Sequence, residues 1–188
     1  MNEIDDYLLA DEVIDWREDA VLAQARRLRT DNTIETAKRC FEFVRDEIGH
    51  CNDIGATLLT CSASEVLREG QGFCCAKSHL LAALLRVNTI PAGFDYQRLS
   101  NDDGGYVLHG LNTVWLAGIG WYRIDARGNK PGVDAQFDPP LEQLAWRGDS
   151  PGECHYRVNL AKPLPKQPIR QPGRGWRRPD AAGTGLLG

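Results

Sequence analysis

Residues 74–87 constrain this chain more than any other stretch. Ala76, Leu80, Ala83, Leu84 and Val87 recur at helical spacing, and Leu81 and Leu85 widen the stripe over much of the helix surface. A helix this apolar must be covered on several sides, so it is expected at the centre of the fold with helices and a sheet around it. Gly70 and Gly72 break the chain before it, and Asn88-Thr89-Ile90-Pro91 stops it. No Ser, Thr, Asp or Asn stands immediately before its first residue, Cys74, so side chains leave the first-turn N–H groups free for an anion.

The segments on either side supply that cover. Val21, Leu22, Ala25 and Leu28 predict an amphipathic helix over 17–29. Ile34, Ala37, Phe41, Val44 and Ile48 predict a second over 33–48, with Asn32 and Glu35 as its cap. Ser62-Ala63-Ser64-Glu65 is a capping box that opens a short helix ending at Gly70. Beyond Pro91 the pattern turns to β, with strands expected near 92–99, 107–116, 121–126 and 155–160. Helices followed by antiparallel strands give an α+β class. With 188 residues, 42% of them hydrophobic and 26% charged, the expectation is one globular domain over 1–160, with its core at about 33–145.

A thiol in the first turn of a buried helix sits where the helix dipole favours thiolate, the nucleophilic form. Cys74 is therefore a candidate nucleophile, against the plainer reading of a buried structural cysteine. Its base would come from four histidines. His109 lies in a β-rich stretch, Tyr106 to Leu116, which turns at Ala117-Gly118-Ile119-Gly120 and returns through Trp121 to Ala126 with Asp125 near its end. A thiol, an imidazole and a carboxylate are the groups an activated cysteine requires. Strand alternation sets a geometric condition. If Leu116 paired with Trp121, His109 and Asp125 would fall on opposite faces, so their meeting requires an odd-length connection or a bulge. A regular two- or four-residue loop would shift the role to Asp134 or Asp138. His79 reads as a partly exposed group toward Arg86, His50 as a turn residue near the cleft, and His155 as a strand residue without a carboxylate partner.

The Gly-x-Cys start, the helix ending Leu84-Leu85-Arg86 before Ile90-Pro91-Ala92, and the His109…Asp125 hairpin resemble the transglutaminase-like superfamily, relatives of papain-type cysteine proteases. The resemblance covers about residues 33–145. It implies Cys74 as nucleophile, His109 as base and Asp125 as orienting acid, acting through a thioester on a peptide or glutamine-type amide. The products would be those of a protease, an amidase or a transamidase. Two features depart from the family pattern. Cys75 follows Cys74 directly, and counting back from Arg86 selects Cys74. No side-chain oxyanion donor is evident; the Cys74 N–H can serve, with Gln71 as a plausible amide partner by chemistry.

Other function classes find less support. The six cysteines, at 40, 51, 61, 74, 75 and 154, contain no Cys-x-x-Cys pair, which argues against a zinc site or a redox dithiol. Neither a metal nor a cofactor is expected. A net charge of −4 implies no bulk attraction to nucleic acid, and no 18-residue apolar run predicts a membrane span. With an acidic start unlike a signal peptide, the expected location is cytoplasmic. The alternative is a non-catalytic peptide- or protein-binding module of the same fold. Residues 1–20 hold eight acidic side chains and one arginine, a segment that either packs on the body or binds a partner. From Ala161 the chain is rich in Pro, Gly and Arg and reads as an arm or tail.

Overall fold

The computed structural model describes residues 3–165. A 3-10 turn, Glu3–Leu8, leads into α1 (Asp19–Leu28) and α2 (Thr33–Glu47). Then come β1 (Gly49–His50), α3 (Cys51–Ile54), α4 (Ala63–Glu69), β2 (Gln71–Gly72) and α5 (Cys74–Val87). The sheet strands follow: β3 (Ala92–Ser100), β4 (Tyr106–Leu116), β5 (Gly120–Ile124), and later β8 (Cys154–His155). Between β5 and β8 lies a small hairpin of β6 (Gln136–Asp138) and β7 (Leu141–Gln143). The class is α+β, as expected.

Helix α5 is the central element. Every residue from Ala76 to Arg86 is buried, and the helix contacts α1, α2, α4, β3 and β4. Leu80, Leu81, Leu84 and Leu85 are fully enclosed, each contributing roughly 1.5–3 kcal/mol of burial. Asn32 caps α2 by accepting from the Glu35 N–H at 3.0 Å, and the Ser62/Glu65 capping box opens α4. His79 departs from its expected place. It is buried, with Nδ1 2.8 Å from the Cys61 carbonyl oxygen and its ring edge-on to Phe94. A helix surrounded on all sides leaves no outer face for it. Ile34, expected on the buried stripe of α2, lies in the first turn and is 37% exposed.

The four-stranded sheet has the order β5-β4-β3-β8, antiparallel throughout. One face presents Phe94, Tyr96, Val114, Leu116, Tyr122 and Ile124 to the common core with α5. The paired residues of the opposite face include Asp95, Gln97, His109, Leu111, Thr113 and Arg123. This layer is buried but polar, and the 145–160 segment covers it. Gln97 donates to the Trp146 carbonyl, and Asp95 accepts from the Val158 N–H. The last strand is shorter than expected: two paired residues, then an isolated bridge between Phe94 and Leu160.

In the β4–β5 ladder Leu116 pairs with Gly120, leaving a three-residue connection, Ala117–Ile119. Gly118 and Gly120 both take positive φ, 81° and 93°, which this tight reversal needs and which side chains resist. The odd length puts His109 and Asp125 on the same face. The acidic leading segment packs on the body: Ile14 is fully buried, and Tyr7 stacks on Trp121 with centroids 4.5 Å apart. Arg86 ties it down, donating to the carbonyls of Leu9, Ala92 and Ala161 at 2.6–2.7 Å. Of the Pro/Gly/Arg-rich arm, residues 161–165 lie against the sheet, with the Leu164 N–H donating to the Tyr96 hydroxyl. The remainder of that arm lies outside the described residues.

Candidate active site

Cys74 is the first residue of α5. Phe73 occupies the cap position in extended conformation and offers no side-chain hydrogen bond. The first helical bond is from the Lys77 N–H to the Phe73 carbonyl, so the preceding N–H groups have no intrahelical acceptor. The helix start is pressed against β4 at Gly110. A Cβ built there would fall 2.7 Å from Cys75 Sγ and 3.2 Å from Cys75 Cα, so only glycine permits the approach. This contact brings the thiol to the strand that carries His109.

His109 and Asp125 are joined directly. Asp125 follows β5 and lies opposite Leu111, diagonal to His109, and its Oδ2 is 2.7 Å from His109 Nε2. The carboxylate also accepts from the Ala145 N–H on Oδ2 and from the Arg127 N–H on Oδ1, both at 3.1 Å. Both side chains are almost completely buried. Trp146 closes over the imidazole edge-on, with centroids 4.8 Å apart, and the Arg127 guanidinium lies over that indole ring at 5.2 Å. Arg127 is itself paired with Asp53, which also binds Lys130 at 2.9 Å. With Nε2 committed to Asp125, Nδ1 is the ring nitrogen left for the Cys74 sulfur.

A model of the transglutaminase-like superfamily matches residues 20–126, more than half of the chain and including Cys74, His109 and Asp125. The chain belongs to the transglutaminase-like superfamily. Comparison with curated protein sequences gives no match. Among solved structures, this transglutaminase-like domain is similar to a candidate cysteine protease from Cytophaga hutchinsonii. The identity is 19% and the TM-score 0.55, over 68% of this chain and 43% of that one. At that identity the likeness is one of fold. The periplasmic domain of TgpA from Pseudomonas aeruginosa also matches, at 21% identity and a TM-score of 0.47, over 64% of this chain and 45% of that one. The chain thus spans less than half the length of either structure.

The electrostatics of the transglutaminase-like site favour a charged pair. The Cys74 thiol is held well below its usual range. The neighbouring Cys75 thiol donates to it, burial opposes, and the His109 charge, a His109 hydrogen bond and the His50 ring add to the lowering. Cys75 moves the opposite way, pushed well up by that same bond to Cys74 and by burial. For His109, burial alone would disfavour the imidazolium. The charges of Asp125 and Cys74 and their hydrogen bonds outweigh it and push the ring up to about 10. Both shifts run toward a thiolate–imidazolium pair. Lys77, buried on α5 and donating to the Ile48 carbonyl, is pushed down to about 8 by burial and by Arg127.

The remaining candidates lie elsewhere. Gln71 sits in β2 and donates one amide N–H to the Leu58 carbonyl at 3.4 Å. Asp134 is bonded to Asn129, Gln136 and Gln143 around the β6–β7 hairpin, and Asp138 pairs with Leu141 in that hairpin. His155 has Arg123 rather than a carboxylate as neighbour, 2.8 Å from Nδ1, and its Nε2 meets the Arg147 carbonyl. Among the described residues no group of three His, Cys, Asp or Glu side chains could hold a metal ion, and no helix is long and apolar enough to cross a membrane. Trp146, Gly110 and the Arg127–Asp53 pair are parts of the site that sequence reasoning passed over. The glycine directly after His109 was the one visible signal, since an interior strand glycine marks close backbone approach.

Proposed function

We propose that the domain is a cysteine-dependent acyl-transfer enzyme acting on peptide or glutamine-type amides. Cys74 is the nucleophile, His109 the acid and base, and Asp125 the group that orients it. The observation that carries this reading is the buried 2.7 Å contact between His109 Nε2 and Asp125 Oδ2, which leaves Nδ1 to the thiol at an uncapped helix start. The Cys74 thiolate forms a C–S bond to the amide carbonyl, and the carbonyl π pair moves to oxygen. Collapse expels the amine, which takes the proton from His109, and leaves a thioester. His109 then removes a proton from water or an amine as it attacks, and the Cys74 thiolate leaves. Water gives peptide cleavage or deamidation, and an amine gives transamidation. Hydrolysis is favoured here, in line with the protease description of the Cytophaga hutchinsonii structure.

The test is the pH dependence of iodoacetamide labelling, mapped residue by residue by mass spectrometry. Labelling confined to Cys74, fast below about pH 7 where an ordinary thiol of pKa about 8.5 is protonated, and lost in His109→Ala, is the expected result. Slow labelling of Cys74 that is indifferent to His109→Ala would point instead to a binding module. Challenge of the labelling-competent protein with a glutamine peptide, with and without a primary amine, then separates hydrolysis from transamidation.

A further inference from the structure

The Cys74 N–H is one donor for a developing oxyanion, and acyl transfer usually provides a second. Gln71 has one amide N–H engaged by the Leu58 carbonyl at 3.4 Å. His50 stands in a different position from the other three histidines. The parallel pairing of β1 with β2 sets it opposite Gly72, two residues before Cys74. Its ring meets Phe73, the residue directly before the nucleophile, edge-on at 5.7 Å and 85°.

His50 is also only 8% exposed, and its Nδ1 is buried without a hydrogen-bond partner. The rings of His79, His109 and His155 each have a polar partner within 2.8 Å. A buried polar atom left unmatched costs about 1–3 kcal/mol, so its retention calls for a reason. The ring is hydrogen-bonded to the Cys74 sulfur and favours the thiolate there, and Nδ1 is the ring atom that stays unmatched. An imidazole carries at least one N–H in either protonation state, so it can donate across the working pH range.

We infer that His50 is a further catalytic residue, the side-chain donor that holds the substrate carbonyl oxygen as it becomes an oxyanion at Cys74. The inference rests on Cys74 being the acyl-transfer nucleophile proposed above. In the acylation step the carbonyl π pair goes to oxygen, between the His50 ring N–H and the Cys74 N–H. It returns to re-form the C=O bond when the leaving group departs. His50 gives up no proton and forms no covalent bond.

Two reagents separate this role from support of the thiolate. Iodoacetamide displaces iodide at carbon and makes no oxyanion, whereas p-nitrophenyl acetate must pass through one on the way to the acetyl thioester and p-nitrophenolate. Both rates are measured on the full chain for wild type, His50→Phe and His50→Gln, with Cys74→Ala as background and thermal unfolding as the check on folding. The expected result for His50→Phe is a loss of about 10²-fold in acetylation relative to alkylation. His50→Gln, which keeps an N–H donor, recovers most of it. Equal falls in both rates, or no change in either, would overturn the role of His50 while leaving Cys74 as nucleophile. A wild type with neither a nitrophenolate burst nor rapid alkylation would instead remove the nucleophile reading, and the inference with it.

Discussion

Replacing Asp125 by Asn keeps the size of the side chain and removes its charge from beside His109. The carboxylate accepts three hydrogen bonds: from His109 at 2.7 Å, Ala145 at 3.1 Å and Arg127 at 3.1 Å. An amide can satisfy the two donors on the Oδ2 side only by turning its NH2 toward the Arg127 N–H, where two donors then face each other. That mismatch costs about 1–3 kcal/mol of folding stability. The electrostatic loss is larger. For charge centres about 4 Å apart in an effective dielectric near 20, the attraction is about 4 kcal/mol. At 1.36 kcal/mol per pH unit, this is about a thousandfold in the ratio of imidazolium to imidazole. His109, held at about 10 in the wild type, then falls toward neutrality, and the Cys74 thiolate loses its cationic partner. The assay is the Cys74 alkylation rate from pH 5 to pH 10, with thermal unfolding measured in parallel. The expected outcome is a rate at pH 6 reduced at least tenfold, recovering only as the pH approaches the range of an ordinary thiol. A folded Asp125→Asn protein alkylated at pH 6 within threefold of wild type would show that the carboxylate is not what holds the imidazolium.

Gly110→Ala places a methyl 2.7 Å from Cys75 Sγ and forces β4 and the start of α5 apart. A loss of about 1–3 kcal/mol in urea unfolding and slower Cys74 alkylation are expected; an unchanged midpoint would refute the close-contact argument. Asp53 has its folded-state pKa lowered to about 2, because its bonds to Arg127 and Lys130 outweigh the opposing effect of burial. Its contribution to stability is therefore complete above about pH 4 and is lost as the pH falls through about 2. Asp53→Asn should flatten the stability curve in that window, and equal slopes for the two proteins there would count against the pairing.

The readable parts of the fold are those governed by local pattern. The apolar width of 76–87 implied a helix enclosed on all sides, and the Ser62/Glu65 box and the Asn32 cap marked helix starts that the structure reproduces. The condition of an odd connection came from strand alternation alone, and the ladder has it, with Leu116 opposite Gly120. What escaped depends on contacts distant in sequence. His79 was placed by its position along α5, but α5 has no outer face, so tertiary burial decided instead. His50 and Gly72 are 22 residues apart, and nothing in either segment announces a two-residue parallel pairing. Trp146 and Arg127 reach the site because the chain after β5 folds back over the polar face of the sheet, a path that turn residues permit but do not specify.

The site lies where the start of α5 meets β4, at Gly110 and through Asn112, whose side chain donates to the Ser78 carbonyl at 3.0 Å. The β4–β5 hairpin sets His109 against Asp125 through register. The β1–β2 pair sets His50 opposite Gly72, and Phe73 occupies the cap position before Cys74. Gly110 lets α5 touch β4, and there the Cys75 thiol lies between them. The Cys75 thiol is pushed well up by its bond to Cys74 and by burial, and that same bond lowers the Cys74 thiol. The adjacent pair is therefore asymmetric by position. The Cys74 sulfur bonds to the imidazole and shifts toward thiolate, and the Cys75 sulfur meets the strand backbone at Gly110 and shifts toward thiol.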